Sequence, residues 1–232
     1  MSQRTAIITG AGRGIGRAAA VELSHRDYRV ALLSRTLAEL EQTARLCSPG
    51  SAELFPCDVS DIGMVDEAVN RFAAKFGRID ALVHCAGLAV MKPIESISPD
   101  EWRALIDTNL SPVYYFCRRL WPIWRKQGGG VVVNISSEAA RNPFAGLGAY
   151  GAAKAAVNLL GLALAREGAE INVRVHTVAP AATETAMLRS IISTEQLPTE
   201  KTLAPQDVAR VIVQCVCGDL ACTSGEVIYV HK

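Results

Sequence analysis

The sequence of 232 residues lacks any clear excess of charge of one sign. It contains 24 Lys and Arg residues against 23 Asp and Glu residues, so the formal net charge is +1. Nucleic acids and anionic membranes attract proteins through a strongly basic surface, and this composition gives no such field. The balance excludes those partners as leading expectations and predicts a small-molecule substrate.

Long apolar runs are also missing. Residues 1–5 lead directly into a short strand-like segment without the apolar region of a signal peptide, and we expect no apolar run to be long enough to span a bilayer. The chain is therefore expected to be cytoplasmic. Linkers rich in Pro, Gly or Ser, internal repeats and low-complexity tracts are absent too, which predicts a single domain over residues 1–232.

Paired cysteines are the third absence. The seven cysteines are an odd number, which argues for reduced thiols rather than a disulfide framework. Cys215, Cys217 and Cys222 lack the C-x-x-C spacing and the nearby histidines of a zinc site. We expect no metal.

What the sequence does contain is an alternation of short β-branched runs with helical patterns. The predicted strands cover residues 6–9, 30–33, 53–55, 81–83, 131–135, 173–175 and 227–230. The predicted helices cover residues 17–25, 37–46, 63–76, 101–126, 152–167 and 205–217. Such alternation is typical of an α/β fold, here a Rossmann-like, doubly wound, seven-stranded parallel sheet with helices on both faces. The longest irregular stretch, 181–202, is either a lid over a site or a mobile surface loop.

A glycine-rich turn follows the first strand and opens the first helix. It comprises Gly10, Gly12, Arg13, Gly14, Ile15 and Gly16. Glycines allow a sharp turn and close approach of a pyrophosphate, and the helix N-terminus offers N–H groups to the anion. Although such glycines can merely fit a tight turn, the context favours a dinucleotide site.

The end of the second strand discriminates between the two nicotinamide cofactors. A carboxylate there would bind ribose hydroxyls, whereas this chain has Ser34 and Arg35. Arg35 and Arg13 predict a 2′-phosphate site and hence NADPH rather than NADH, unless Arg35 is simply a solvated charge. Asp58 and Val59, after the third strand, either bind the adenine or start the next helix through an Asp cap.

Tyr150 and Lys154 stand four residues apart at the start of the helix best marked by residues 152–167, downstream of Ser137. This spacing puts both side chains on one helical face. A phenol has a pKa of about 10, and a neighbouring ammonium would lower it and make the phenol a proton donor near neutral pH. The alternatives are an amphipathic core tyrosine and a solvated lysine.

Together these motifs, with Ala86, Gly87 and Asn109, resemble the classical short-chain dehydrogenases/reductases over nearly the whole chain. The resemblance implies that Tyr150 is the general acid, that Lys154 lowers its pKa and holds the cofactor ribose, and that Ser137 polarises the substrate carbonyl. Asn109 would complete a proton relay. The segment after the sixth strand would contact NADP through Pro180, Thr183 and Thr185, with Thr185 at the nicotinamide carboxamide.

Three features depart from the family pattern. Ala181 replaces a glycine, His84 and Cys85 replace two asparagines, and the chain ends without a Val-Asp-Gly-Gly continuation. The first could change the local backbone, and the second removes an amide expected to brace neighbouring strands. We expect His84 to be a strand-end residue rather than a second catalyst.

The leading expectation is therefore an NADPH-dependent carbonyl reductase. A β-ketoacyl carrier-protein reductase and a sepiapterin-reductase-like enzyme are narrower alternatives, and a nucleotide-binding regulatory protein with little catalysis is an alternative of another class. The helix with the aromatic residues 114–116 and 121–124 predicts a homodimer or homotetramer, unless those side chains only pack on the sheet.

Overall fold

The computed structural model describes residues 3–232, and its centre is a parallel β-sheet. The strands, β1 to β7 in chain order, are Arg4–Thr9, Tyr28–Ser34, Ala52–Pro56, Ala81–His84, Gly130–Ile135, Val173–Pro180 and Val227–Val230. Their spatial order is β3-β2-β1-β4-β5-β6-β7, with every pairing parallel. The predicted seven-stranded parallel sheet is confirmed.

Helices cover both faces of this sheet. The α-helices, α1 to α8 in chain order, are Gly14–Ser24, Leu37–Leu46, Ile62–Phe76, Pro99–Asn109, Ser111–Gln127, Gly148–Gly168, Ala186–Arg189 and Pro205–Cys217. Successive side chains of a strand point to opposite faces, so Ala6 and Ile8 pack with α1 and α8 while Ile7 packs with α3 and α5. The two layers bury all three side chains and make the architecture doubly wound, as predicted.

The helix predicted over residues 101–126 is two helices, so this prediction is wrong in detail. The break lies at Leu110, with φ −111° and ψ −54°, between α4 and α5. Pro112 explains it, because proline has no N–H to donate to the preceding turn and restricts the residue before it. The break leaves Asn109 at the last position of α4.

One stretch, Gly148–Ile171, is long and apolar enough to cross a membrane by length and composition. The expectation that no run meets this criterion is therefore wrong. The stretch comprises α6 and the following 3-10 turn, and α6 packs on β6 and on the 3-10 turn Glu138–Ala140. An apolar helix of this kind also suits the interior of an α/β fold, because its small residues, such as Gly161, let it lie close to the strands.

The stretch after β6 is more ordered than the sequence indicates. It contains α7 and the 3-10 turn Thr199–Lys201. Arg189 donates to Glu184 Oε1 at 2.8 Å and to the Leu197 carbonyl at 2.8 Å, and Thr183 bridges to Leu203 as an isolated parallel pair. These contacts fold the segment back on itself, so it is held to the sheet rather than extended as a surface loop.

The seven cysteines form no disulfide within the described residues, and six of them are buried or partly buried while Cys222 is exposed. Across residues 3–232, no group of three or more His, Cys, Asp or Glu side chains could hold a metal ion.

Candidate active site

The site residues meet at the carboxyl ends of the central strands, where β1 lies between β2 and β4. Thr9, at the end of β1, pairs with His84 at the end of β4, and Thr9 Oγ1 accepts a hydrogen bond from the Ala86 backbone N–H at 3.1 Å. The connection that leaves β1 leads to β2 on one side, and the connection that leaves β4 leads to β5 on the other. The crevice at such a point is where open α/β sheets bind ligands. The predicted glycine turn and Ala86 are therefore brought together.

Two glycines let the turn lie directly on β4. Gly10 has φ +64°, and a Cβ atom there would stand 2.7 Å from the Ala86 nitrogen. A Cβ atom at Gly16 would overlap the Gly10 carbonyl oxygen. Both positions need glycine because other side chains would collide with backbone atoms.

The N-terminus of α1 is open to an anion. Within the described part of the chain, no side chain caps α1 and no acidic residue occupies its first turn. The first N–H groups of a helix lack partners in the helix itself and carry a partial positive charge, so those of Gly14, Ile15 and Gly16 can bind a pyrophosphate. The glycine turn thus fits the dinucleotide that the sequence predicts.

Two residues that sequence reasoning missed hold this turn in place. Thr43, buried in α2, donates to the Ala11 carbonyl at 2.9 Å. Arg17 donates to Thr43 Oγ1 at 3.1 Å and to the Gly12 carbonyl. These bonds connect the glycine turn to α2 across 26 residues of sequence, a distance at which no local motif could reveal them.

The residues predicted to contact the adenine follow β3, which pairs with β2 at the edge of the sheet. Asp58 Oδ1 accepts from the Ser60 N–H at 3.0 Å and from its hydroxyl at 2.7 Å, whereas Asp61 caps α3. Of the two alternatives for Asp58, the helix cap thus belongs to Asp61. Partial burial disfavours the Asp58 carboxylate, but the Ser60 hydrogen bonds and the Arg35 charge outweigh it and lower its pKa. Val59 is buried beneath it.

A carboxylate absent from the sequence predictions lies at the same edge. Glu39, in the first turn of α2, forms an ion pair with Arg13 at 3.8 Å. Its Oε2 would stand 2.9 Å from a Cβ atom at Gly12, and Ser34 Oγ would stand 3.0 Å from that atom. Glu39 therefore shares the predicted 2′-phosphate region with Arg13 and Ser34, while Arg35 is exposed at its rim.

On the catalytic side, Lys154 and Asn109 flank Gly87. A Cβ atom at Gly87 would lie 3.0 Å from Asn109 Oδ1 and 3.7 Å from Lys154 Nζ. Lys154 is only 4% exposed and donates from Nζ to the Ile135 carbonyl at 2.8 Å. Burial lowers its pKa to about 8. Its Nζ lies 5.8 Å from the centre of the Tyr150 ring, so the helical spacing brings the pair together as predicted.

The acidity of Tyr150 differs from the prediction. Burial raises the pKa of the phenol, and the nearby Ser137 hydroxyl acts in the opposite direction but does not outweigh it. With the described residues alone, the prediction of a lowered Tyr150 pKa is therefore wrong. The physical reason is that loss of hydration disfavours a phenolate, while the Lys154 ammonium is directed to the Ile135 carbonyl.

Ser137 and Ser136 have separate roles. Ser137 Oγ accepts from the Ala139 N–H at 3.1 Å, at the start of the 3-10 turn Glu138–Ala140. Ser136 is buried and donates to the Lys154 carbonyl at 3.1 Å. Ser136 therefore anchors α6 to the end of β5, whereas the Ser137 hydroxyl lies beside the Tyr150 phenol.

Asn109 is held by the loop after β4. Its Nδ2 donates to the Leu88 carbonyl at 2.8 Å and to the Leu105 carbonyl at 2.9 Å, and its Oδ1 accepts from the Leu88 N–H at 3.3 Å. The side chain fixes the position of Gly87 beside Lys154.

The segment after β6 reaches over the glycine turn. Thr185 caps α7 through a 3.2 Å bond from the Leu188 N–H, and its methyl group would stand 3.1 Å from a Cβ atom at Gly14. Thr183 is buried and donates to the Ala181 carbonyl at 3.0 Å, so its hydroxyl has a structural partner. Pro180 ends β6. In the described part of the chain Ala181 has no positive φ, so the replaced glycine leaves an ordinary backbone.

His84 lies at the end of β4, as expected, with its ring against Phe116 at 5.4 Å. Burial lowers its pKa to about 3, with the Lys154 charge contributing. Among residues 3–232, neither His84 Nε2 nor the side-chain amide of the opposite Asn134 has a hydrogen-bond partner. Among the described residues, no side-chain hydrogen bond therefore joins His84 of β4 to Asn134 of β5, as the replacement of a family asparagine predicts.

Comparison with known proteins agrees with this geometry. The family model described as short chain dehydrogenase matches residues 4–196. An uncharacterised oxidoreductase of Staphylococcus aureus (strain USA300) is 30% identical over 92% of this chain and 90% of its own length. The 3-ketoacyl-(acyl-carrier-protein) reductase of Brucella melitensis, complexed with NADH, superposes with a TM-score of 0.93 at 28% identity, covering 99% of this chain and 97% of that one. ElxO with NADP bound has a TM-score of 0.90 at 28% identity, covering 98% and 97% of the two chains.

Proposed function

The chain belongs to the short-chain dehydrogenase/reductase family and is an oxidoreductase, and from this premise we propose that it transfers a hydride from NADPH to a ketone or aldehyde carbonyl. The observation that carries the proposal is the convergence of Lys154, Asn109 and the Tyr150 ring around Gly87, beside a glycine turn open to an anion.

The residues of the site divide the chemistry between them. The nicotinamide supplies the hydride when it is bound. Tyr150 is protonated at neutral pH, as a phenol with its ordinary pKa of about 10 is, and it donates that proton to the carbonyl oxygen as negative charge develops there. Ser137 donates a hydrogen bond to the same oxygen, which stabilises that charge.

Lys154 and Asn109 support this step. Lys154 holds the cofactor ribose and brings positive charge close to the phenol as the proton leaves. Asn109 fixes the loop carrying Gly87 and leads protons toward Lys154. The remaining cofactor contacts are the N-terminus of α1, Ala86 and Gly87, Val59 and Asp58 at the adenine, and Pro180, Thr183 and Thr185 at the nicotinamide.

The preference for NADPH rests on Arg13 in the glycine turn and on Arg35 directly after β2. Guanidinium groups bind phosphate through charge-assisted hydrogen bonds, and both side chains are well exposed, Arg13 to 64%. Catalytic efficiencies with NADPH and NADH on one carbonyl substrate test the preference. A higher efficiency with NADH would contradict it.

A narrower candidate is reduction of a β-ketoacyl thioester. It is supported by the similarity to the Brucella melitensis reductase. Loss of NADPH absorbance with acetoacetyl-coenzyme A, compared with simple ketones and aldehydes, tests it. Nothing in the structure favours the sepiapterin-reductase-like alternative. Tight NADPH binding without turnover on any carbonyl would instead support the nucleotide-binding regulatory alternative.

We further propose a homodimer or homotetramer that assembles through α5 and α6. A groove of about 620 Å³ between them is lined mainly by apolar surface and flanked by exposed side chains, of which Tyr114 is 54% exposed. Phe116 and Trp124 of α5 are buried in the core. The aromatic residues of α5 would therefore divide between packing on the sheet and the subunit contact. A single catalytic domain and a cytoplasmic location, the latter supported by the unpaired cysteines, complete the proposal.

A further inference from the structure

Glu39 lies where the ribose end of the cofactor would meet the glycine turn. Its Cβ and Oε2 atoms would each stand 2.9 Å from a Cβ atom at Gly12, and Ser34 Oγ would stand 3.0 Å from the same atom. The Glu39 side chain is 32% exposed. A partly buried carboxylate therefore occupies the space between the second glycine of the turn and the end of β2.

The charges around this carboxylate are mixed. Glu39 Oε1 pairs with Arg13 Nη1 at 3.8 Å. Arg35 is exposed and forms no ion pair within residues 3–232, although its charge is felt by Asp58. Of the two guanidinium groups expected to bind a 2′-phosphate, one is thus already paired with a carboxylate.

We propose that Glu39 is a specificity-determining residue that limits the preference for the 2′-phosphorylated cofactor. The inference rests on the proposed function, in which this edge binds the adenosine ribose. A phosphate must compete with Glu39 for Arg13 and approach a like charge, which costs free energy. The 2′-hydroxyl of NAD carries no charge, so it neither competes for Arg13 nor is repelled by Glu39. It can instead donate a hydrogen bond to the Glu39 carboxylate.

The matched experiment compares Glu39→Gln with Glu41→Gln. Both substitutions remove one negative charge from α2, but Glu41 is exposed and lies two positions further along the helix, so it points away from the turn. Dissociation constants are measured calorimetrically for NADP+, NAD+, 2′,5′-ADP and 5′-AMP with each full-length protein. Because 2′,5′-ADP and 5′-AMP differ only in the 2′-phosphate, the ratio of their dissociation constants reports the contribution of that phosphate to binding.

Glu39→Gln should raise the ratio of the NAD+ to the NADP+ dissociation constant by about threefold to tenfold, the effect of one removed charge at a partly exposed site. The 5′-AMP to 2′,5′-ADP ratio should rise in parallel, and Glu41→Gln should leave both ratios within about twofold of wild type. Melting temperatures without nucleotide show that both variants fold.

The inference would be overturned if Glu39→Gln left the ratio of the NAD+ to the NADP+ dissociation constant unchanged. It would also be overturned if Glu41→Gln changed that ratio by the same factor. A wild-type protein that binds NAD+ more tightly than NADP+ would contradict the proposed cofactor preference alone, because the ratio would still respond to Glu39. Failure of both nucleotides to bind wild type would overturn both proposals.

Discussion

At the scale of single residues, burial governs the two groups closest to the chemistry. It raises the pKa of Tyr150 and lowers that of Lys154 to about 8, so both shifts favour the uncharged form. Near neutral pH the phenol is therefore protonated and the ammonium is still largely charged. This pair of states suits a proton donor with a cation beside it.

Tyr150→Phe should lower the turnover number by about 10²-fold to 10⁴-fold, because it removes a positioned general acid. Binding of NADP+ should change little, since the ring and Lys154 remain in place. Steady-state kinetics and calorimetry measure the two effects. Tyr114→Phe, which alters an exposed tyrosine of α5, is the matched control and should keep wild-type turnover. Wild-type turnover in the Tyr150 variant would exclude the proposed role.

Two buried histidines make stability depend on pH. Burial lowers the pKa of His84 to about 3 and that of His176 to about 4, whereas an unfolded histidine has a pKa of about 6.5. Below about pH 6.5 both histidines are protonated in the unfolded chain but remain neutral in the folded chain. The free energy of unfolding is therefore undiminished by these histidines above about pH 6.5, and it falls as the pH is lowered toward their folded-state pKa values.

Urea unfolding between pH 7.5 and 5 should show this loss, with a slope that approaches about 1.4 kcal/mol per pH unit for each histidine below pH 6. His84→Asn should reduce the slope, and His25→Gln, at an exposed position, should leave it unchanged. A free energy of unfolding that stays constant across the range would contradict the buried neutral histidines.

At the scale of elements, close backbone contact fixes the glycine turn against the sheet. Gly10 touches the chain after β4, and Gly16 touches Gly10. The helix that should bind the pyrophosphate therefore keeps its position only while both residues lack a side chain. Steric overlap with backbone is harder to relieve than overlap with a flexible side chain.

Gly16→Ala should lower the free energy of unfolding by about 1–3 kcal/mol and weaken NADP+ binding at least tenfold, because the new methyl group displaces α1 from the turn. Gly148→Ala is the control, since within the described residues a Cβ atom there meets nothing within 4 Å. Its stability should stay within about 0.5 kcal/mol of wild type. Denaturant unfolding and calorimetry compare the two. If the two variants had the same free energy of unfolding and the same affinity for NADP+, the steric explanation would be wrong.

The elements also show how far the sequence could be interpreted. Periodicity and β-branching are local, so they predicted every strand and placed the glycine turn after β1 and Lys154 in α6. The helix predicted over residues 152–167 begins earlier, at Gly148, so α6 also includes Tyr150, and Ser137 lies two residues beyond the end of β5. Pro112 carried the signal for the break at Leu110, but the apolar pattern of the surrounding helix obscured it. Glu39 and Thr43 could not be found, because their roles depend on how α2 packs against a turn more than 20 residues away.

At the scale of the whole molecule, one helical face is left partly uncovered. Leu159 of α6 is 70% exposed and precedes Leu160, which lines the groove beside α5. Large apolar side chains grouped around an exposed groove are typical of subunit contacts. The same helix carries Tyr150 and Lys154 on its buried side, so assembly and catalysis would share one element.

Leu159→Glu should shift the protein to monomers, because a charge would be buried in the contact without a partner. Leu46→Glu is the control, since Leu46 is also exposed but ends α2 on another part of the surface. Light scattering with size-exclusion chromatography measures the mass of each. A monomeric wild type, or equal behaviour of the two variants, would refute assembly through α5 and α6.

The pairing of β1 with β4 has a consequence for how the protein acquires its activity. In the sequence, α1, β2, α2, β3 and α3 separate Thr9 from its neighbour His84, and Lys154 and Thr185 join the same edge later in the chain. Parallel pairing between distant segments is a slow step of folding, since loop entropy must be lost before the contacts form. During refolding, helical signal should therefore recover before the capacity to bind nucleotide, because the strand ends at this edge come from distant parts of the chain.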